Sequence, residues 1–428
     1  MKMPTPTVLL ILALAVPMTT LFSTGCIAST VSSWTSVTGL EGLELLDPRA
    51  TRVRLSSFEE DDVQAFVEKV PNCGEVWLDS SCRLGSKSFD ALTRLKELTG
   101  LRVELHEWEP SHLASLRGIA KLRSLVLDGG LFVQSNVVWQ FPQIGELTLI
   151  EVMGQNRSVL TSVAAIKTLR ILDTTITFEG IEAVDTTIAK MELLESLCIR
   201  GAGVTDEVLS KCVRLGNLTS FRAINVHASG AFLKAIQSDN NIQAVSIVDC
   251  PDFEIKNLSL LDRCKKVKEI EFSGSVGVAD LMDNLSFCKD RLTDLRLNRV
   301  RIAKAGIQRI WSLPKLSRLK LSNCTEWAST NLTSLTPDCP IIELDIGGEH
   351  TGLSVQQLHI VVASLAGLQR VSLIDNPLVD REALDGLLKV APKLTSLDIS
   401  GCKRISERDV GEIRKKNGHL SIMHEEER

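Results

Sequence analysis

One stretch reads Leu394-Thr-Ser-Leu397-Asp-Ile399-Ser-Gly-Cys402-Lys-Arg-Ile-Ser406, and its spacing of apolar residues returns many times along the chain. The spacing is apolar, two variable residues, apolar, one variable residue, apolar. This alternation puts Leu397 and Ile399 on one face of a β-strand and Asp398 on the other face. Each copy of the spacing therefore predicts a strand with one buried face and one exposed face.

Copies of this spacing cover most of the 428 residues. Clear copies begin at Leu122, Leu194, Leu292 and Leu316, and weaker copies fill the gaps. The last apolar position recurs with a mean step of about 25 residues, within the range of repeats that stack side by side. Fifteen units are predicted, with this position at Leu55, Leu78, Leu105, Leu127, Leu149, Thr174, Ile199, Ala223, Ile247, Phe272, Leu297, Leu321, Ile346, Leu373 and Ile399.

Apolar residues at helical spacing follow many of the predicted strands. Thr205, Asp380 and Ser406 stand where a helix N-cap is expected, and acidic residues follow in the next turn. Each unit is therefore predicted to contain a strand, a turn, a helix and a return segment. A single unit of this kind buries only part of its apolar surface, so neighbouring units must stack to form a stable core.

The chain resembles a leucine-rich repeat protein of the cysteine-containing, ribonuclease-inhibitor-like subclass. The subclass places Cys or Asn three residues after the last strand leucine, and Cys250, Cys324, Asn376 and Cys402 match that position. The resemblance implies an α/β solenoid over residues 51–422, curved as a horseshoe with parallel strands on the concave face and helices on the convex face. It also implies binding, mostly to proteins. The pattern is broken at Phe58, Trp108, Val152, Val300 and Glu349.

The first 25 residues are interpreted as a secretion signal. Lys2 precedes a nine-residue apolar run that ends at Val16, which is too short to span a bilayer as a helix. The following Ser23-Thr-Gly25-Cys26 resembles the lipidation site of bacterial lipoproteins, although Ser23 replaces the usual aliphatic residue. Lipidation of Cys26, and with it a location outside the cytoplasm on a membrane surface, is therefore a hypothesis. Residues 26–50 are expected to form an irregular linker and cap, and residues 423–428 an acidic tail.

Composition argues against several classes of function. The net charge is −5 and no long basic stripe offsets it, so nucleic acid is not an expected partner. None of the eleven cysteines forms a Cys-x-x-Cys pair, and the seven histidines are scattered. His106 and His112 are interpreted as solvated surface residues. The sequence therefore predicts no enzyme, no metal site and no cofactor.

Two readings of the cysteines remain open. Most cysteines recur at fixed positions within the repeat, which suits small buried side chains. Cys264 and Cys288 precede consecutive predicted strands, so stacking could instead bring them within disulfide distance. Cys198 falls on the outward position of its strand, and it is expected to be the most exposed thiol.

The outward strand residues are the candidate partner-binding surface, because core packing does not require them. They include Trp77 and Glu104 near the N-terminus, and they alternate in charge further along. A basic cluster of Arg296, Arg299, Arg318 and Lys320 is expected to contact an acidic patch of a protein partner, unless these residues pair with Glu271 and Asp345 instead. The full set of predicted contact residues is Arg222, Glu271, Arg296, Arg299, Arg318, Lys320 and Asp345.

The sequence favours a non-enzymatic scaffold that is exported and binds a protein. The alternative is an intracellular adaptor, because similar repeats follow F-boxes in substrate receptors of ubiquitin ligases. No F-box-like helical segment precedes the repeats here, and the signal-like stretch occupies that position. A third possibility, an enzyme with a diffuse site, has no motif in its favour.

Overall fold

The computed structural model describes residues 34–105, 107–108, 110–129, 131–132, 144–150, 163, 166–175, 187–325, 340–348 and 354–424. Within this part of the chain, residues from Thr35 onward form one compact unit. The signal-like stretch, Cys26 and the residues after His424 lie outside the described residues, so the hypotheses about them are not addressed by the structure.

Seventeen strands of the described residues form one open sheet in which every pairing is parallel and the spatial order follows the chain. All fifteen predicted strands are present, and one further strand lies at each end. The strands are Thr35–Thr38, Arg52–Ser56, Glu75–Leu78, Gly100–Glu104, Ser124–Asp128, Glu146–Ile150, Ile171–Thr175, Ser196–Arg200, Ser220–Ile224, Ala244–Val248, Glu269–Ser273, Asp294–Asn298, Arg318–Ser322, Glu343–Asp345, Arg370–Ser372, Ser396–Asp398 and Ser421–Met423.

The register places equivalent residues of successive units side by side. Leu295 lies beside Leu319, and Arg296 lies beside Lys320. The inward residues are almost fully buried, including the two weakest members of the predicted column, Thr174 and Ala223. The fold is a leucine-rich repeat solenoid, as the sequence predicted.

One unit was assigned the wrong register. Leu101 and Val103 point into the core beside Val76 and Leu78, so the inward column contains Val103 and not Leu105. The outward residue between them is Arg102, which lies beside Trp77 on one side and Val126 on the other. The error arose because residues 101–105 alternate apolar and charged over five positions, which allows two registers that differ by two residues.

Helices and 3₁₀ turns connect the strands. The α-helices span Gly39–Leu45, Asp62–Lys69, Ser86–Leu92, Pro110–Leu116, Asp206–Cys212, Val278–Asn284, Lys304–Trp311, Val355–Ala363, Arg381–Val390 and Glu407–Lys416. The 3₁₀ segments span Ile188–Lys190, Ala231–Ala235, Ile255–Arg263 and Ser286–Cys288. A second, two-stranded parallel pair joins Glu107–Trp108 to Leu131–Phe132.

Two of the three predicted N-caps are confirmed. The Asp380 and Ser406 side chains accept hydrogen bonds from the amides of Ala383 and Asp409, at 2.9 and 3.3 Å. Thr205 precedes a helix, but its side chain makes no capping bond. The segment expected to be an irregular cap contains a regular strand, Thr35–Thr38, and a helix, Gly39–Leu45.

The turn after most of the described strands has a repeated backbone conformation. In ten of the fifteen units that the sequence predicted, the described residue two positions after the inward column has a positive φ angle. Glycine, asparagine or aspartate, which tolerate this left-handed conformation, occupies eight of these positions. The other two are Ser57 and Arg299, and Arg299 has φ of 55° despite its long side chain.

The cysteines that carry the family resemblance support the same turn. The thiols of Cys250, Cys324 and Cys402 donate to the carbonyl of the inward-column residue of the preceding unit, at 3.6, 3.6 and 3.1 Å. Cys82 donates in the same way to the Leu55 carbonyl, at 3.3 Å. The sequence pattern missed Cys82 because it lies four residues, not three, after the strand leucine.

Candidate functional site

The concave face is formed by the side chains at the middle position of each strand, which point away from the core. From the N-terminus these residues are Ser36, Arg54, Trp77, Arg102, Val126, Thr148, Asp173, Cys198, Arg222, Ser246, Glu271, Arg296, Lys320, Asp345, Ser372, Asp398 and Met423. Five predicted contact residues occupy this row. Arg318 begins its strand, and Arg299 lies in the turn after its strand.

The predicted basic cluster is neutralised by carboxylates of the same face. Arg296 and Arg318 both pair with Asp294, with shortest nitrogen–oxygen distances of 3.1 and 2.6 Å. The Asp294 side chain is only 2% exposed between them. Sequence reasoning missed Asp294 because it lies at the first strand position and not in the outward column.

Two further pairs extend this network across the sheet. Lys320 pairs with Asp345 on the next strand, at 2.7 Å, as the alternative interpretation of the cluster expected. Arg222 reaches across a whole strand to Glu271, at 3.1 Å. This reach is possible because the intervening outward residue is the small Ser246. The cluster is therefore a network of paired charges and not an unpaired basic patch.

Arg299 takes part in this network from the turn. Its guanidinium bonds to Asp249, two units earlier, and lies 3.5 Å from the hydroxyl of Ser273. The Ser273 hydroxyl donates to Asp249 at 2.5 Å. The left-handed backbone conformation of Arg299 costs free energy for any residue with a Cβ atom. The side-chain contacts with Asp249 and Ser273 offset part of that cost.

One prediction about cysteine is wrong, and one of the two alternatives left open for Cys264 and Cys288 is not found in the structure. Cys198 is 8% exposed and not an open thiol, because Asp173, Arg200 and Arg222 surround it on the sheet. Burial raises the pKa of its thiol far above the usual range. Cys264 and Cys288 are both free thiols in the structure, and burial raises the pKa of each to about 11.

The missing disulfide has a geometric reason. Glu269 lies beside Asp294 in the register, so the position equivalent to Cys264 is residue 289. Cys288 is therefore one residue out of step with Cys264. Its thiol donates instead to the Leu285 carbonyl of its own turn, at 3.2 Å.

The N-terminal part of the concave face contains a stacked group that sequence reasoning did not identify. The indole of Trp77 lies between two guanidinium groups, with its ring centroid 4.1 Å from Arg54 and 4.4 Å from Arg102. These distances are within the range of cation–π attraction. The three residues, which we call the Arg54–Trp77–Arg102 stack, come from three consecutive strands.

Hydrogen bonds fix every member of this stack. The indole N–H of Trp77 donates to Glu104 at 2.8 Å, and Arg102 pairs with Glu104 and Asp128 at 3.0 and 2.7 Å. Arg54 pairs with Asp79 at 3.2 Å. Burial of Asp79 favours its neutral form, but hydrogen bonds from Ser56 and Ser81 and the charge of Arg54 hold its pKa below the usual range.

His112 also differs from its prediction. It is 6% exposed and not a solvated surface residue, and its ring stacks on Phe89 with centroids 4.8 Å apart. His106 lies outside the described residues. The described part of the chain contains no group of three or more His, Cys, Asp or Glu residues arranged to hold a metal ion. Nor does any helix described there have both the length and the apolar character needed to cross a bilayer.

The chain is similar in structure to known proteins, but comparison of its sequence with known families and curated proteins finds no match. No protein-family profile matches the chain, and no curated protein sequence matches it. Among solved structures, the chain is similar to the yeast Rad7–Elc1 complex, with 14% identity, a TM-score of 0.46, and coverage of 85% of this chain and 83% of the other. It is similar to the internalin InlF of Listeria monocytogenes, with 14% identity, a TM-score of 0.37, and coverage of 83% and 88%.

A third similar structure is a complex of TLR13 with single-stranded RNA. The identity is 14% and the TM-score 0.43, and the match covers 92% of this chain and 55% of the other. These similarities concern the repeat fold. The contact residues of this chain must be assigned from its own geometry.

Proposed function

We propose that this chain is a non-enzymatic binding scaffold that recognises a protein partner through its concave face. The observation that carries the proposal is the Arg54–Trp77–Arg102 stack. Trp77 is the only aromatic residue in the outward row of the described strands. Tryptophan and arginine dominate the binding energy of many protein interfaces.

The stack is suited to this role because it is held in place before binding. Ion pairs and a hydrogen bond fix all three side chains, so little conformational entropy remains to be lost on association. The charged network around Arg296 and Lys320 is part of the same face. Its residues remain predicted contacts. Because these charged side chains already form ion pairs with one another, they are better suited to selecting the partner and setting the association rate than to adding affinity.

The interface proposal predicts a large effect of Trp77→Ala on partner binding. The chain is used as bait on the extracytoplasmic fraction of its host, and the captured protein is then titrated against purified variants. Trp77→Ala is expected to weaken binding by at least about tenfold, because a central aromatic anchor contributes about 2 kcal/mol or more. Trp77→Phe keeps the stack but loses the bond to Glu104, and it should recover part of the affinity.

Thr148→Ala is the matched control, because Thr148 lies in the same outward row and carries a small neutral side chain. It should change affinity less than about twofold. Equal binding by Trp77→Ala and the parent chain, with both shown to be folded, would rule out the stack as the anchor.

We further propose that the chain is exported and anchored to a membrane surface by a lipid on Cys26. The signal-like stretch and the residues around Cys26 support this proposal. Mass spectrometry of the protein from its host is expected to show a mature N-terminus at Cys26 with an added lipid mass. An intact Met1 would contradict export and favour the intracellular adaptor.

A further inference from the structure

Asp398 is the one charged residue of the outward row that forms no ion pair within the described part of the chain. The other eight are paired: Arg54, Arg102, Asp173, Arg222, Glu271, Arg296, Lys320 and Asp345. Among the described residues, the Asp398 carboxylate accepts bonds only from the amide and hydroxyl of Ser400, at 3.0 and 2.8 Å, and both reach the same oxygen, Oδ1. The row therefore carries one negative charge that no described cation neutralises.

Ser372 separates Asp398 from a second carboxylate. In the register of the sheet, Ser372 lies beside Asp345 on one side and beside Asp398 on the other. Neighbouring strands are about 4.8 Å apart, so the backbones of the two aspartates are about 10 Å apart across the serine. The Ser372 hydroxyl oxygen is buried and has no hydrogen-bond partner in the described structure. A small residue with an unused hydroxyl group therefore lies between two carboxylates.

An arginine bridges the same arrangement elsewhere on the sheet. Ser246 lies between Arg222 and Glu271 in the register, and the Arg222 guanidinium reaches across it to Glu271, at 3.1 Å. At Ser372 the residues on both sides are carboxylates, so neither can bridge to the other in this way. A cation that bridges them must come from outside the row.

The charges around this gap are one cation short of balance. Asp345 and Asp398 carry two negative charges, and Lys320 supplies one positive charge through its ion pair with Asp345, at 2.7 Å. Arg370 lies on the strand between the two aspartates, but it pairs with Glu343 instead, at 2.6 Å. A single additional positive charge would neutralise the group.

A guanidinium group suits this gap better than a lysine ammonium or a metal ion. Its planar fork donates hydrogen bonds in two directions, whereas an ammonium group is a compact point charge. Calcium takes at least about six oxygen ligands, and the described residues include no group of three or more His, Cys, Asp or Glu that could hold a metal ion. Met423 lies beside Asp398 and is 39% exposed, so its flexible apolar side chain can contact the aliphatic stem of an arginine.

We propose that the protein partner inserts an arginine into this gap, with its guanidinium over Ser372 and bonded to both Asp345 and Asp398. The inference rests on the proposed function, because it assigns a chemical feature to the partner that the concave face binds. The other charges of the described row are already paired with one another. A positive charge of the partner therefore adds affinity here without displacing an internal ion pair.

A titration with N-acetyl-arginine amide, followed by NMR, tests the gap directly. The full chain is labelled at its methionine methyl groups, and the Met423 signal is assigned with the variant Met423→Leu. We expect a saturable shift of this signal in the millimolar range, which suits a ligand of one residue. N-acetyl-citrulline amide has a similar shape without the charge, and it should cause no saturable shift. Asp398→Asn should weaken arginine binding about tenfold, the effect of losing one charge-assisted hydrogen bond.

Glu343→Gln is the matched control, because it neutralises a carboxylate on the strand of Asp345 that pairs with Arg370. It should bind the arginine probe as the parent chain does. The inference is overturned if the probe causes no saturable shift, if citrulline acts equally, or if Asp398→Asn and Glu343→Gln bind alike. Binding of the captured partner to Trp77→Ala keeps the two proposals separate. A loss of partner binding there, without arginine binding at Asp398, would overturn the arginine inference alone.

Discussion

Replacing Phe221 by alanine is expected to lower the free energy of unfolding by about 4 kcal/mol, in the range found for buried phenylalanines. Phe221 is 1% exposed, and its ring lies 5.6 Å from the ring of Phe232 in the same unit. Phe221 fills more of the core in this unit than the equivalent residue does elsewhere, because the inward column residue here is Ala223. Most other units carry a larger apolar residue at that position. Removing Phe221 would leave a cavity beside that alanine.

The companion variant Ala223→Leu separates this explanation from a general preference for leucine. The repeat pattern favours leucine at position 223, but Phe221 and Phe232 already occupy the space. We therefore expect Ala223→Leu to destabilise the protein by about 1 to 3 kcal/mol through overpacking. Phe221→Leu removes volume from the core and Ala223→Leu adds volume. The double variant should therefore lose less free energy of unfolding than the sum of the losses of these two single variants.

The measurement should resolve individual units, because long repeat arrays do not unfold in a single two-state transition. Hydrogen exchange of the strand Ser220–Ile224 reports the local opening free energy. Phe287→Ala is the control, since Phe287 is only partly buried and packs beneath Arg291 at 5.7 Å. If Phe221→Ala and Phe287→Ala have equal effects on local exchange, volume compensation at Ala223 is not the explanation.

The fold could be predicted from the sequence because a period of two is enough to mark a half-buried strand. The fifteen predicted strands needed only the alternation of apolar residues and a constant step between units. The one register error came from the run Leu101-Arg-Val-Glu-Leu105, where alternation continues beyond the strand. The irregular cap was predicted in place of a strand and a helix because Thr35–Thr38 lacks the full repeat spacing.

The candidate site was less predictable because it depends on contacts between units. The register error assigned Glu104 to the outward row beside Trp77, and this hid the Arg54–Trp77–Arg102 stack. The pairing of Arg222 with Glu271 depends on the small size of Ser246 between them. The burial of Asp294 depends on two arginines from two strands. None of these relations follows from the spacing within a single unit.

Asp206 provides the second large effect, and it shows how consecutive units are joined. Its carboxylate accepts three backbone hydrogen bonds from the next unit: from Ser229 at 2.8 Å, from Gly230 at 3.1 Å and from Phe232 at 2.9 Å. These amides begin the 3₁₀ segment Ala231–Ala235, whose N-cap Gly230 has φ of 92° and no side chain to cap it. A residue of one unit therefore caps the connector of the following unit. The sequence predicted only Thr205, as the N-cap of the helix in its own unit, and gave no sign of this bond between units.

Asp206→Ala is expected to lower the free energy of unfolding by about 3 kcal/mol, because three partly buried amide donors lose a charged acceptor at once. Asp206→Asn keeps an acceptor oxygen without the charge, so its free energy of unfolding should fall less than that of Asp206→Ala. The matched control is Glu207→Ala, since the neighbouring Glu207 side chain is 82% exposed and bonds only weakly to Lys211, at 3.5 Å. Hydrogen exchange should show the loss at the amides of residues 229–232 first. Unchanged exchange there, together with equal stability of the Asp206 and Glu207 variants, would show that the carboxylate does not join the two units.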